Sequence, residues 1–186
     1  MINMKIEGSL EKFYQYSFPM QTVLVTCNDD KGKTNIITIA WHTPISIKPP
    51  LYGVSIAPGR YSHDLIKNNK EFVVNFIPYE LVDKAHFCGK HSGRKTDKIT
   101  ETNLTLKPAK KIKVPIIEEC YAHLECKKVQ NYKIGDHTFF VGEVVAVQAT
   151  PRTFENNLLK IENTSPLYYV GGNSYTTIDG RLKKKF

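Results

Sequence analysis

Apolar residues along the chain gather in short, β-branched runs bounded by turn residues, and only two or three short stretches suggest helix. Residues 21–27 (QTVLVTC) and 33–41 (KTNIITIAW) read as strands, and Asp29 to Gly32 between them carries the Asp and Gly of a tight turn. Residues 51–57 (LYGVSIA) predict a third strand, entered through Pro49-Pro50 and ended by Pro58-Gly59. In SHDLIKNNK (62–70), Ser62 can cap a helix, Asp64 lies in its first turn, and Leu65 and Ile66 give an apolar face. EFVVNFI (71–77) returns to strand, and residues 79–88 bring Leu81, Val82, Ala85 and Cys88 near helical spacing. Residues 89–102 are polar and contain Gly, which predicts a loop.

The second half reads as antiparallel. Two long runs, Glu119 to Gln130 and His137 to Gln148, are joined by Tyr132-Lys133-Ile134-Gly135-Asp136. In the first run Ala122, Leu124 and Cys126 alternate with Tyr121, His123 and Glu125. The second is apolar on both faces, as expected of a strand with the barrel interior on one side and a partner on the other. Residues 154–161 suggest a short helix, and PLYYVGG (166–172) followed by SYTTI a closing strand. Many short strands with few short helices predict a mainly β fold, an antiparallel barrel. There is no GxGxxG, and the order of elements does not suggest a doubly wound sheet.

Composition narrows the class. The 186 residues suit a single domain, and 41% hydrophobic with 24% charged residues is globular usage, neither collagenous nor disordered. The longest useful uncharged stretch, Thr34 to Ile47, falls short of the ~20 residues of a membrane span and contains Pro44. The opening MINMKIEGSLEKF lacks an apolar leader, so a cytoplasmic location is expected, with the four cysteines as free thiols. The net charge of +8 suits an anionic partner, with basic density at Lys107, Lys110, Lys111 and Lys113 and in the tail at Arg181 and Lys183 to Lys185. Nucleic acid ranks last among such partners, because the aromatic residues are not interleaved with the lysines as a stacking platform requires.

The stretch from Asn35 to Asn75 holds the candidate chemistry. Apolar strands here carry Asn35, Thr38, Thr43, Ser46 and Ser55, the mixture that walls a planar ring. Trp41, the only tryptophan, suits either the core or the face of such a ring. Arg60, Ser62 and His63 stand at a predicted helix start, where amides and cationic side chains suit a phosphate; the alternative is a plain serine cap beside a surface Arg and His. His86-x-Cys88-x-x-His91 has metal-like spacing but no fourth ligand, so no metal is assigned. Cys120 and Cys126 read as core thiols, too far apart along a strand for a disulfide. No GxSxG or triad is present.

The run NIITIAWHTPISIKPPLYGVSIAPGRYSHDLIKNNKEFVVNF, the segment SGRKTDK (92–98), the hairpin IGDHTFFVGEVV (134–145) and PLYYVGGNSY (166–175) together resemble the flavin reductase-like family over roughly residues 15–176. Within it the chain is most similar to flavoredoxin and related archaeal FMN-binding proteins and ferric reductases. The resemblance implies an FMN-binding split β-barrel with Greek-key-like antiparallel strands, working as a homodimer with FMN near the subunit interface. It implies that Thr38, Ala40 and Trp41 line the flavin from one strand and Ser55, Ile56 and Ala57 from the next. Arg60, Ser62 and His63 then hold the phosphate, Asn75 and Phe76 flank the pocket, and Ser92, Gly93 and Lys98 approach from a loop. His137 becomes the wall of a nicotinamide site. NAD(P)H is the implied co-substrate, and the acceptor is flavin, ferric iron or a redox protein. A flavoredoxin-type electron carrier docking to an acidic redox protein is the alternative. Lys95 and Ile99 depart from the acidic and aromatic residues of many relatives, which bears on acceptor preference.

Overall fold

The structure is a computed structural model that describes residues 5–178, 180–182 and 184; Lys183 and Lys185 of the basic tail lie outside the described residues. Its main sheet has seven strands: β1 (Val23–Asn28), β2 (Thr34–Ile39), β3 (His42–Ser46), β4 (Leu51–Ile56), β5 (Glu71–Phe76), β6 (Ala122–Ile134) and β7 (His137–Ala149). Their order across the sheet is β2-β1-β5-β6-β7-β4-β3, and every pairing is antiparallel. The two outermost strands, β2 and β3, follow each other in the chain with only Ala40-Trp41 between them. The sheet therefore curls until its ends meet at that corner, where the Ser55 amide of β4 donates to the Trp41 carbonyl at 2.9 Å. The result is the mainly β split barrel that the sequence predicts, with three short helices, α1 (Tyr61–Asn69), α2 (Val82–Lys90) and α3 (Lys98–Thr102), on its outside.

Alternation along β1 explains why its residues are apolar on both sides. Val23, Val25 and Cys27 point into the barrel with Val54, Ile56, Phe72 and Phe140. Leu24 points the other way, into a second core with Ile36, Ala85, Cys88, Ile117 and Leu167, which α2 covers. The same happens in β6. His123 and Glu125, which alternate with the apolar set, are buried too, because the segment before β6 packs over them. Glu125 accepts from the amides of Lys110 (2.8 Å) and Lys111 (2.7 Å) and from Gln148 Nε2 (2.9 Å).

Several local expectations are corrected. Strand β3 contains Pro44, which hides it in the sequence; it lies at a sheet edge, where a missing N–H is tolerated. The predicted loop 89–102 ends in α3, whose start is capped by Asp97 accepting from the amides of Ile99 (3.2 Å) and Thr100 (3.3 Å). Residues 154–161 do not form a helix. Phe154–Glu155 and Leu158–Leu159 form a hairpin around Asn156 and Asn157, both at positive φ, as a two-residue turn requires. The connection after β6 shrinks to Gly135-Asp136, with Gly135 at φ +59. Tyr168–Gly171 and Ser174–Thr176 do not close the barrel; they pair with Met20–Gln21 in a separate three-stranded sheet.

Candidate functional site

The turn Ala57-Pro58-Gly59-Arg60 delivers the chain from β4 into α1, and the Arg60 amide donates to the Ala57 carbonyl at 3.0 Å. Arg60 is the residue before the first helical turn, and no side chain caps that end of α1. Its leading amides and the positive end of its dipole are therefore open to an anion. Ser62 is not the cap that the sequence suggests. It is already inside the helix, and its buried hydroxyl accepts from Asn35 Nδ2 of β2 at 2.6 Å.

A cavity of about 170 Å³ opens at this helix start, walled by Asn35 and Thr38 of β2, Arg60, Ser62, the end of α2 at Gly89-Lys90, and Ser92, Gly93 and Lys98. A second chamber of about 470 Å³ adjoins it, sharing Thr38, Arg60, Gly89 and Lys90 and continuing past Ala40 to Tyr169 and Tyr175. A Cβ at position 93 would run into Asn35 Oδ1, so only glycine lets the 92–98 loop approach β2 this closely.

The charges are one-sided. Arg60, Lys90 and Lys98 line the first cavity, and no carboxylate does. The nearby acids are engaged elsewhere: Asp64 pairs with Arg94 at 2.6 Å, and Asp97 with Lys33 at 3.4 Å. Lys98 is 5% exposed, and its ammonium donates to the carbonyls of Ile36 and Cys88, each at 2.7 Å. Burial lowers its pKa, with the neighbouring Arg60 charge acting the same way and the Cys88 and Cys27 thiols opposing it. A buried cation that meets only carbonyl dipoles, beside an uncapped helix start, can hold a phosphate-like dianion.

Other predicted residues are placed differently. Thr38 lines both chambers, although its hydroxyl donates to the Ala85 carbonyl at 2.6 Å. Ala40 lines the larger chamber and, with Trp41, a further cavity under Phe13 and Tyr14. Trp41 is not a core residue: it is 36% exposed, with its ring centroid 4.8 Å from that of His137. His137 also meets Asp136 at 2.7 Å. Ser55 and Ala57 line neither chamber: the Ser55 amide donates to the Trp41 carbonyl, the Ala57 carbonyl accepts from the Arg60 amide, and the Ile56 side chain is in the barrel core.

The structure does not bring His63, Asn75 or Phe76 to the cleft. His63 is buried with Nε2 2.9 Å from Thr138 Oγ1, so it ties α1 to β7. Asn75 is fully buried; its amide group donates to the Leu24 carbonyl, and its oxygen accepts from the Ile117 amide (3.0 Å) and meets His123 Nδ1 (2.9 Å). Phe76 packs on the rings of His42, Tyr52 and Tyr121. His86, Cys88 and His91 do not converge: His86 meets the Tyr175 hydroxyl, Cys88 is in the second core, and His91 stacks on Phe87. Lys90 is the charged cavity residue among those that sequence reading missed, which also include Thr22, Gly89 and Tyr175. The basic, hydroxylated run from Lys90 to Arg94 just after a predicted helix was the available signal.

Comparison with known proteins extends these observations. Residues 15–178 match the family described as the flavin reductase like domain. An uncharacterized protein of Archaeoglobus fulgidus is 43% identical over 133 residues, 72% of this chain and 74% of its own. The NADH-dependent FAD reductase of Streptomyces globisporus is 26% identical over 135 residues, 72% of each chain. Among solved structures, the flavoredoxin from Methanosarcina acetivorans has a TM-score of 0.86 at 29% identity, covering 97% of this chain and 95% of that one. The FMN-binding protein from Thermus thermophilus has a TM-score of 0.80 at 31% identity, covering 95% of each.

Proposed function

The chain belongs to the flavin reductase-like family, and from that premise we propose that it holds FMN in the cleft beside β2 and serves as an NAD(P)H-dependent flavin oxidoreductase. One observation carries the reading: a cavity lined by Arg60, Lys90 and Lys98 with no carboxylate opens into a larger chamber with tyrosine walls. A cationic end, suited to a phosphate, and an aromatic-walled end, suited to a planar ring, are thus set side by side. The path along β2 from Asn35 to Ala40 spans roughly 16 Å at the usual strand rise, room for an extended mononucleotide.

In this reading Arg60, Lys98, the α1 amides and the Ser92-Gly93 loop hold the phosphate. Thr38, Ala40 and Trp41 line the ring, with the main chain of Ser55 to Ala57 beside them. FMN, when bound, supplies hydride and single-electron transfer. The chain supplies binding, orientation and a dry wall, and no side chain has to act as a general acid or base. His137, beside Trp41, forms the wall against which a nicotinamide docks. His63 and Asn75 support the site from behind, as anchors of α1 and of the sheet.

Two copies of the chain form the working unit in this proposal. Val129, Tyr132 and Ile134 on the projecting β6–β7 hairpin are exposed apolar residues suited to that contact. The acceptor is flavin, ferric iron or a redox protein. The +8 charge favours a second reading, an FMN electron carrier that docks to an acidic redox protein and takes no electrons from nicotinamide.

A visible absorption titration with FMN tests the site. Saturable binding near one flavin per chain, with a perturbed flavin band, supports it; no binding at tens of micromolar FMN removes it. Anaerobic bleaching by NADH or NADPH then supports the reductase. Bleaching only by a reduced acidic donor assigns the carrier.

A further inference from the structure

Thr22 links the Met20–Gln21 strand to β1, and its amide donates to the Leu167 carbonyl at 2.8 Å, which fixes its backbone. Its side chain is 2% exposed, and its hydroxyl is the one buried side-chain polar atom among the described residues with no hydrogen-bond partner. Other buried threonine hydroxyls are engaged: Thr26 donates to the Pro115 carbonyl, Thr102 to the Lys98 carbonyl, and Thr138 meets His63. Folded proteins rarely leave such a group unpaired, and an exception calls for a missing partner. Thr22 lines the larger chamber. Continuing the register beyond the Val23–Ile39 pair sets it beside Ala40, at the end of the cleft far from Lys98. The Thr38 hydroxyl there is already given to Ala85, and His86 and Tyr175 meet each other, so neither relieves the vacancy.

We infer that Thr22 contacts the flavin: its hydroxyl forms a hydrogen bond to the polar edge of the ring seated in the larger chamber. A flavin edge carries both N–H and C=O groups, and a threonine hydroxyl can donate or accept. The inference rests on the FMN reading above and adds to it a ring contact that the sequence motifs do not mark.

The variant Thr22→Val keeps the shape and removes the hydroxyl; Thr22→Ser keeps the hydroxyl. FMN and riboflavin affinities are measured for both variants and for the wild type, together with Tm of the flavin-free proteins. Thr22→Val is expected to weaken FMN and riboflavin by the same factor, roughly 3- to 10-fold, the worth of one neutral hydrogen bond. Flavin-free Tm should rise by roughly 2–4 °C, because an unpaired buried hydroxyl is gone. Thr22→Ser should bind both flavins like the wild type. Unchanged affinities in Thr22→Val overturn the inference while leaving the FMN reading intact. So does a loss confined to FMN, or a fall in flavin-free Tm, which would reveal a protein partner for the hydroxyl. A wild-type protein that binds neither flavin removes the reading and the inference together.

Discussion

Lys98 donates from its buried ammonium to the carbonyl oxygen of Cys88 at 2.7 Å, joining the first residue of α3 to the closing turn of α2. The bond gives the charge a dipole but no counter-charge, since the neighbouring carboxylates pair with Lys33 and Arg94. In the proposed reading, the FMN phosphate supplies that counter-charge.

Replacing that cation should therefore reach FMN before it reaches the fold. Lys98→Met is expected to weaken FMN binding by about 1.5–3 kcal/mol, the range for hydrogen bonds to charged groups. pH sharpens the test. Burial holds the Lys98 pKa below its ordinary 10.5, so the proton is lost earlier than from a surface lysine as pH rises, and phosphate affinity is lost with it. The unfolded chain keeps that proton to higher pH, so flavin-free stability rises with pH between the lowered value and 10.5. Fluorescence titrations with FMN across alkaline pH should show the affinity loss in the wild type and a flatter profile in Lys98→Met.

Arg60 stands more exposed, at the mouth of the same cavity. Arg60→Ala should weaken FMN by about tenfold, the low end for a charged hydrogen bond, and leave riboflavin, which has no phosphate, unchanged. Equal losses for both flavins would take Arg60 away from the phosphate.

His137 faces Trp41 and not the cationic cavity. His137→Ala should bind FMN almost normally while slowing reduction by NAD(P)H in anaerobic stopped-flow mixing. An unaltered reduction rate strips His137 of its nicotinamide role.

His123 makes acid sensitivity a property of the second core. Burial drives its pKa down to about 4, against the opposing pull of Glu125 and the Cys120 carbonyl. The unfolded chain takes up this proton first, so stability is intact above the ordinary value of 6.5 and falls as pH drops from there to about 4. Urea unfolding at pH 7 and pH 4.5 should show the wild type losing about 2 kcal/mol more than His123→Gln over that interval. Parallel losses in the two proteins would clear His123.

What the sequence made legible follows from what each residue's neighbours along the chain can reveal. The strands around Val23 to Cys27 and Phe72 to Val74 are dense in β-branched residues, and burial on both faces reinforces that local preference. Strand β3 escaped notice because Pro44 marks an interruption unless the strand lies at an edge, a fact of tertiary position. Phe154, Leu158 and Leu159 imitate helical spacing, while Asn156 and Asn157 carry the turn that defeats it. At the site, Arg60, Ser62, Gly93 and Lys98 are recognisable by motif. His63 and Asn75 are of equally suitable type but face inward, and a motif does not encode that direction. Lys90 and Thr22 join the cleft only because α2 and the strand before β1 are folded over it.

The corner at Ala40-Trp41 couples two tasks that are usually separate. It closes the sheet through the Ser55 amide, and it forms part of the wall of the cleft. A molecule lodged there would act as a rivet across that seam. Proton exchange at the Ser55 amide thus becomes a gauge of occupancy: slow when the rivet is in place, and fast when the seam is left to breathe.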